Sequence, residues 1–308
     1  MIPRVAVVVV NHNRYKETFD CLQSLTLHLK GTAGGERPTL ILVDSGSTDG
    51  SCDRLRLDFP NVTFMENRDN VGFGAANNIG MEQAFLSSGA KYVLLLNNDA
   101  FIGDDVRIPF LDVAVNNPTI GIQCAKVYYW PDKTRLWYAG GILDVKRGIP
   151  THRGIGEEDR GQYDRTGPTD FATGCALFIS RECYDATKGF DPGWFVYHED
   201  SDLCVRARQL GYSTVFNHKA RVWHAVGTTA TIDGPVYLYF TMRNKLLFAK
   251  RHGRGVGGAW PYFGYFYGRQ LVRMGIRHGS WRGVQAVFHG LVDGLRGVTG
   301  KGWMEGRI

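Results

Sequence analysis

Cysteine is scarce in this 308-residue chain and arranged without pattern. The six thiols, at positions 21, 52, 124, 175, 183 and 204, form no Cys-x-x-Cys pair and no metal-ligand cluster. Scattered reduced thiols of this kind fit a cytoplasmic protein better than a disulfide framework. Long apolar runs are also missing. The longest uncharged stretch near the C-terminus, Gly255 to Gly268, has 14 residues, against the roughly 20 that a bilayer-spanning helix needs. Met1 to Val10 runs directly into the polar Asn11-His12-Asn13-Arg14, so it reads as a strand and not as a secretory leader. There is no Gly-x-x-x-x-Gly-Lys-Ser/Thr phosphate loop, no internal repeat and no low-complexity tract. The pair Gly72-x-Gly74 lacks the third glycine of a dinucleotide fingerprint and follows the third strand instead of the first, which argues against a nicotinamide enzyme.

What is present is ordinary globular material: 44% hydrophobic and 21% charged residues, enough for one large domain or about two of common size. Charge is unevenly spread. Residues 241–308 hold 12 Lys+Arg against 2 Asp+Glu, whereas the first 240 residues carry a net charge of −4. A neutral-to-acidic body with a basic tail points to an anionic partner for the tail.

Periodicity predicts alternating strands and helices. Val5–Val10 is a β-branched run suited to a strand buried on both faces. Residues 15–30 place apolar side chains at 19, 22, 25 and 29, on one helix face. Strands are predicted again at Leu40–Val43, Val62–Met65 and Tyr92–Leu96, with helices near 50–58 and over 72–87. Such alternation implies right-handed crossovers and a mostly parallel α/β sheet. Residues 144–170, rich in Gly, Arg and acids, predict a long exposed loop; structure resumes at Phe171–Ser180, and Asp200–Gly211 reads as a helix.

Polar side chains collect where the predicted strands end: Asn11 and Asn13, Asp44, Asn70 and Asp99. Ligands of open α/β sheets bind at that carboxyl edge. Asp99 closes Leu-Leu-Leu-Asn97-Asn98-Asp99, where a carboxylate can hold a hard divalent cation or, equally, cap the next helix. Glu199, Asp200 and Asp202 lie within four positions. Their mutual repulsion raises pKa values and favours a general base over simple capping, with solvated capping acids as the blander reading. His224, in Val-Trp-His, reads by itself as a core histidine more readily than as a ligand. Asn70-Val-Gly72-Phe-Gly-Ala-Ala-Asn77-Asn opens a helix with small residues, whose amides can approach a phosphate or a sugar.

Taken together, the series Val-Val-Val-Val-Asn-x-Asn, Leu-Val-Asp44-Ser-Gly-Ser-Thr-Asp, Asn70-Val-Gly-Phe-Gly-Ala-Ala-Asn-Asn, Leu-Asn-Asn-Asp99, Gly174-Cys-Ala-Leu-Phe-Ile, Gly189-Phe-Asp-Pro and Glu199-Asp200-Ser-Asp-Leu resembles the inverting family 2 glycosyltransferases of the GT-A fold, over about residues 4–250. It is most similar to bacterial rhamnosyltransferase-like enzymes of cell-surface polysaccharide assembly. The resemblance implies a Rossmann-like, mostly parallel sheet flanked by helices, with a catalytic domain over residues 1–240 and a helical basic extension over 241–308. It implies that Asp44 binds the base or ribose of a nucleotide-sugar donor, with Asn11, Asn13, Asn70, Gly72, Asn77 and Asn98 also on the donor side. Asp99 matches the last position of the Asp-x-Asp motif that holds Mg²⁺ or Mn²⁺, His224 a histidine that completes the metal site, and Asp200 the catalytic base. Glu199 and Trp194 fall on the acceptor side, and Arg243, in an Arg-Asn pair common at this point of the family, on the diphosphate. Asn97 departs from the motif, whose first position is an aspartate, so fewer protein ligands are expected on the metal.

The function expected is inverting transfer of a sugar, with dTDP-L-rhamnose as the anticipated donor, to a hydroxyl of a glycan or lipid-linked acceptor. A non-catalytic sugar- or nucleotide-binding scaffold is the alternative. In the tail, Trp260, Tyr262, Phe263, Tyr265, Phe266 and Tyr267 precede Arg269, Arg273 and Arg277, spaced four apart. Aromatics with basic residues suit an anionic membrane interface, at the inner face of the cell membrane, and homo-oligomerisation ranks beside it. No nucleic-acid module is present in the body, so nucleic acid is not an expected partner.

Overall fold

The computed structural model describes residues 4–29, 37–226, 234–253, 257–277 and 279–308. The first half is the alternation that the periodicity predicts. β1 (Val5–Asn11) leads to α1 (Tyr15–His28), β2 (Thr39–Ser45) to α2 (Ser51–Asp58), and β3 (Thr63–Asn67) to α3 (Phe73–Ser87), followed by β4 (Tyr92–Asn97). Of the predicted first helix, Lys30 lies outside the described residues. β1 pairs in parallel with both β2 and β4, and β2 with β3. Val5 to Val9 are all buried, as expected for a strand covered on both faces.

The second half completes the sheet. β5 (Ala100–Phe101), α4 (Arg107–Ala114), β6 (Ile120–Tyr129), β7 (Leu136–Tyr138), β8 (Gly141–Asp144), β9 (Ile149–His152), β10 (Gly167–Pro168) and β11 (Ala176–Ser180) follow, then α5 (Arg181–Thr187), α6 (Glu199–Gln209) and β12 (Ser213–His224). The main sheet runs β10-β12-β6-β11-β4-β1-β2-β3, with β11 antiparallel between β4 and β6. The predicted long exposed loop over 144–170 is in fact partly folded. β8 and β9 form an antiparallel hairpin, and its closing residue His152 packs edge-on against Trp137 and Tyr138. Composition alone read the Gly- and Arg-rich turn as the whole segment.

Three helices end the chain: α7 (Pro235–His252), α8 (Trp260–Val272) and α9 (Trp281–Arg296). The predicted boundary at 240/241 falls inside α7, which cannot be divided there. Its Leu238, Tyr239 and Phe240 join a second apolar cluster with α8 and α9, while its Phe248 belongs to the core of the sheet. α7 and α9 approach closely because Gly290 is bare; a Cβ there would fall 2.8 Å from the Tyr239 carbonyl oxygen. The C-terminal helices are thus joined to the sheet by a shared helix. Of the four-residue arginine spacing, Arg269 lies in α8, but Arg273 starts a π-helical turn that breaks the register of a single α-helical face.

Candidate active site

The carboxyl ends of β1, β2 and β3 are knitted together by side chains. Asn11 donates to Asp44 Oδ2 at 2.8 Å and to the hydroxyl oxygens of Ser47 and Ser51. Thr18 donates to Asn11, and Asn98 to Thr18, at 2.8 and 2.9 Å. Asp44 also accepts from the Ser47 backbone N–H and hydroxyl. Asn13, at φ 53°, accepts from the Thr48 N–H at 2.7 Å. Asn70 accepts from the Gly72 N–H, while Ser45 binds the Val71 N–H. The structure therefore brings Asn11, Asn13, Asp44, Asn70 and Asn98 together, chiefly as a buried network that fixes three loops. Half-buried in the same place is His12, which the sequence reading passed over. Its Nδ1 lies 2.7 Å from the Ser45 carbonyl oxygen. A histidine between two strand-end asparagines was the only signal.

Two residues expected on the donor side have structural contacts of their own. Asn77 is 2% exposed and donates back to the Phe73 carbonyl within α3, so its amide serves the helix. Gly72, at φ 85°, is glycine because Phe195 lies against it; a Cβ would fall 2.5 Å from the Phe195 carbonyl oxygen.

At the end of β4, Asp99 meets His224. The short β5 pairs antiparallel with the end of β12, setting His224 opposite Ala100, and His224 Nε2 lies 3.0 Å from Asp99 Oδ1. Burial opposes a charged imidazole, but Cys175 and the bond to Asp99 outweigh it and lift the His224 pKa to about 10. This corner already balances one positive charge. Trp137 stands edge-on to His224 at 4.5 Å. Asn97 Oδ1 is buried without a hydrogen-bond partner. Among the described residues no group of three or more His, Cys, Asp or Glu converges as a metal site. A divalent cation would displace the imidazolium proton, taking the neutral imidazole and the carboxylate as ligands and its remaining ligands from a diphosphate.

The three neighbouring carboxylates go three ways. Asp202 is fully buried, and burial would raise its pKa, yet His252 at 2.7 Å, Arg206 at 2.7 Å and Arg251 at 3.3 Å hold it at about 2. It is a structural anion. Glu199 is 5% exposed with Oε2 unpartnered; burial and the Asp200 charge push its pKa well above the usual range. Asp200 is half-buried. Burial raises its pKa, against bonds from the Gly174 and Ser201 N–H groups at 3.1 and 2.6 Å. A half-open carboxyl with a raised pKa is the one of the three suited to take a proton.

Ahead of Asp200 the backbone is strained. Phe195, Tyr197 and His198 have φ of 66°, 67° and 73°, a region costly for side-chain-bearing residues and frequent near functional sites. Asn244 holds this turn, donating to the carbonyls of Val196 and Tyr197 at 2.8 Å and of Trp194 at 3.1 Å. Arg243, expected at the diphosphate, is fully buried and donates to the carbonyls of Trp194 and Gly300. Its guanidinium is committed to joining the turn to the C-terminal segment. Trp194, expected on the acceptor side, is 2% exposed and packs against His198, Phe248 and Arg251. Both were placed by motif, which shows neither burial nor direction.

An α/β sheet of this order, with a carboxylate–histidine pair and a half-buried carboxyl at its carboxyl edge, is the architecture of the GT-A fold. The model of glycosyl transferase family 2 matches residues 6–187, and the chain belongs to that family. It is a glycosyltransferase. It is 26% identical over 237 residues to the N-acetylglucosaminyl-diphospho-decaprenol L-rhamnosyltransferase of Mycobacterium tuberculosis, covering 70% of this chain and 76% of that one. The low-salt glycan biosynthesis hexosyltransferase Agl10 of Haloferax volcanii is 21% identical over 222 residues, 68% of this chain and 63% of that one. Among solved structures, GalNAc-T7 with UDP, GalNAc and Mn²⁺ superposes with a TM-score of 0.63 at 17% identity, over 81% of this chain. This chain spans about half the length of GalNAc-T7 (48%). Residues 1–349 of S. aureus TarS give a TM-score of 0.52 at 15% identity, over 81% of this chain and 66% of that one. These structures share the fold.

Proposed function

We propose that the chain is an inverting, divalent-cation-assisted glycosyltransferase that moves L-rhamnose from dTDP-L-rhamnose to a hydroxyl of a lipid-linked glycan in cell-surface polysaccharide synthesis. The observation that carries it is the pairing of the Asp99–His224 corner with the half-buried Asp200 on one sheet edge. The similarity to the mycobacterial rhamnosyltransferase supports the donor sugar and the lipid-linked acceptor.

In this reading the network around Asn11, Asp44 and Asn70 shapes the floor on which base and ribose rest. Asp99 and His224 would hold Mg²⁺ or Mn²⁺, which when bound neutralises charge on the leaving diphosphate. Asp200 accepts the acceptor hydroxyl's proton as its oxygen attacks the anomeric carbon from the face opposite the diphosphate. One displacement inverts that centre, and no second nucleophilic carboxylate is needed. Beside it, burial and the Asp200 charge disfavour a second negative charge on Glu199. The scaffold alternative has less support, since Asp99, His224 and Asp200 are all in place.

The extension is read as a peripheral contact with an anionic membrane face. Among the described residues no helix is long and apolar enough to cross a membrane, yet Tyr265, Ile276, Trp281 and Phe288 stand exposed on α8, α9 and the turn between them.

Binding of UDP, dTDP and their sugars, with and without Mn²⁺, tests the reading by calorimetry. Metal-strengthened binding of thymidine compounds, and rhamnosyl transfer to a prenyl-linked acceptor, are expected. Absence of nucleotide binding in either condition would overturn the transferase reading in favour of the scaffold.

A further inference from the structure

At the carboxyl ends of β1, β2 and β3, the half-buried side chains of His12, Asn13 and Asn70 meet beside the buried network. The Ser45 carbonyl oxygen, 2.7 Å from His12 Nδ1, can only accept, so that nitrogen carries the hydrogen. A neutral imidazole bound in this way keeps its lone pair on Nε2. The two asparagines are oriented by the same logic. The Asn13 side-chain oxygen accepts the Thr48 N–H at 2.7 Å, and that of Asn70 accepts the Gly72 N–H at 3.0 Å. Their NH₂ groups therefore point the other way, and each nitrogen lies 3.4 Å from His12 Nε2. At that length, with one lone pair between two donors, both contacts are weak. Each NH₂ carries two hydrogens, and among the described residues neither has another acceptor.

Asp44 is engaged elsewhere. It is 3% exposed, with Oδ1 accepting from the Ser47 N–H and Oδ2 from Asn11 and the Ser47 hydroxyl. The family motif gives this carboxylate to the nucleotide, yet its oxygens serve the loops behind. What the strand ends offer instead is an acceptor nitrogen with two amide donors around it. The imide edge of uracil or thymine is the complement, an N3–H between two carbonyl oxygens. Cytosine would set a bare N3 against the Nε2 lone pair and an amino group against an amide donor, leaving polar groups unpaired.

We propose that His12, Asn13 and Asn70 read the base of the donor nucleotide, with His12 Nε2 accepting the N3–H of uracil or thymine and so rejecting cytosine. The proposal rests on the transferase reading for its donor. It moves base recognition from the aspartate of the family motif to the variable middle position of Asn11-His12-Asn13. Uracil and thymine carry the same edge, so both are accepted.

The test is calorimetric binding of UDP, dTDP, CDP and N3-methyl-UDP to the full chain at saturating Mn²⁺. UDP and dTDP should bind at least about tenfold more tightly than CDP and N3-methyl-UDP, the scale of one mismatched hydrogen bond. His12→Phe keeps a ring and removes the acceptor, so the preference for UDP over CDP should shrink toward parity. Asn70→Asp keeps the oxygen that holds Gly72 and replaces the donor with an acceptor. The preference should shrink there too, since the added charge acts on both nucleotides alike. If either variant fails to fold, the N3-methyl-UDP comparison on the wild type decides by itself. Equal binding of UDP and CDP, undiminished binding of N3-methyl-UDP, or an unchanged preference in folded His12→Phe would each overturn the proposal. Failure of the transferase reading shows separately, as absence of binding by all four nucleotides.

Discussion

Asn244 reaches across 47 residues of sequence to donate its side-chain amide to the Tyr197 carbonyl at 2.8 Å. The recipient sits at φ 67°, beside His198 at φ 73° and two residues after Phe195 at φ 66°, three residues before Asp200. The strain of that turn is thus offset by a residue of α7, a helix shared by the sheet and the C-terminal extension. Removing the amide in Asn244→Ala leaves buried carbonyls without a donor, at a cost of about 1–3 kcal/mol. The expected outcome is a lower melting temperature together with a kcat loss exceeding any change in donor affinity. Unchanged turnover in a folded variant would show that the turn keeps its shape unaided.

Asp200 and Glu199 are adjacent, yet opposite results are expected from their amides. Asp200→Asn should lower kcat by about 10²–10⁴-fold, the usual contribution of a general base, and leave nucleotide binding intact. Burial and the Asp200 charge shift the Glu199 carboxyl toward its neutral form, which an amide mimics, so Glu199→Gln should retain most activity. The base works deprotonated and its pKa is raised. The acid limb of kcat/KM should therefore lie above the ordinary aspartate range, with the rate rising as pH rises through it. The amide comparison is the deciding measurement: equal losses in the two variants would remove the assignment.

Asp202 makes a prediction about stability. Its folded pKa of about 2 lies below the ordinary aspartate value of 3.8. A depressed carboxyl contributes stability that is complete above the unfolded pKa and is lost as pH falls through the folded one. The contribution is on the order of 2 kcal/mol. Denaturant unfolding of the wild type should weaken from about pH 4 down to about pH 2. Asp202→Asn should be less stable at pH 7 and should lose part of that acid dependence. Parallel pH curves for the two proteins would exclude Asp202 as a contributor.

The fold was legible because its signals are local. The apolar runs at β1, β2 and β4 and the polar residues closing them follow from strand burial and from where ligands meet an open sheet. Side-chain direction was not legible. Arg243 and Trp194 occupy family positions, yet the first is turned into the junction with Gly300 and the second into the packing of Phe248, which depends on how α7 crosses the body. Nor could spacing alone separate Asp202 from Asp200, which only the family resemblance singled out. Spacing shows three acids, and only the long-range arrival of His252 and Arg251 makes one of them a permanent anion. The hairpin over Gly141–His152 was missed because Gly, Arg and acidic residues mark a turn without showing that both its arms pair.

The proposed metal corner offers two protein ligands among the described residues, Asp99 and His224, and position 97, which as aspartate would add a carboxylate, is asparagine. Divalent cations keep several oxygen ligands, and those the protein lacks must come from water or diphosphate. Mn²⁺ should therefore bind the free chain weakly and tighten markedly when dTDP is present, the two affinities being coupled reciprocally. His224→Ala and Asp99→Ala should raise the Mn²⁺ concentration for half-maximal activity by at least about 10-fold, the scale set by losing even an outer-shell partner. Asn97→Asp should move it the other way by supplying a second carboxylate. Calorimetric titration of Mn²⁺ with and without dTDP reads all of these. Tight Mn²⁺ binding that ignores dTDP would locate the ion away from the diphosphate, and the Asp99–His224 contact would then stand as a structural ion pair.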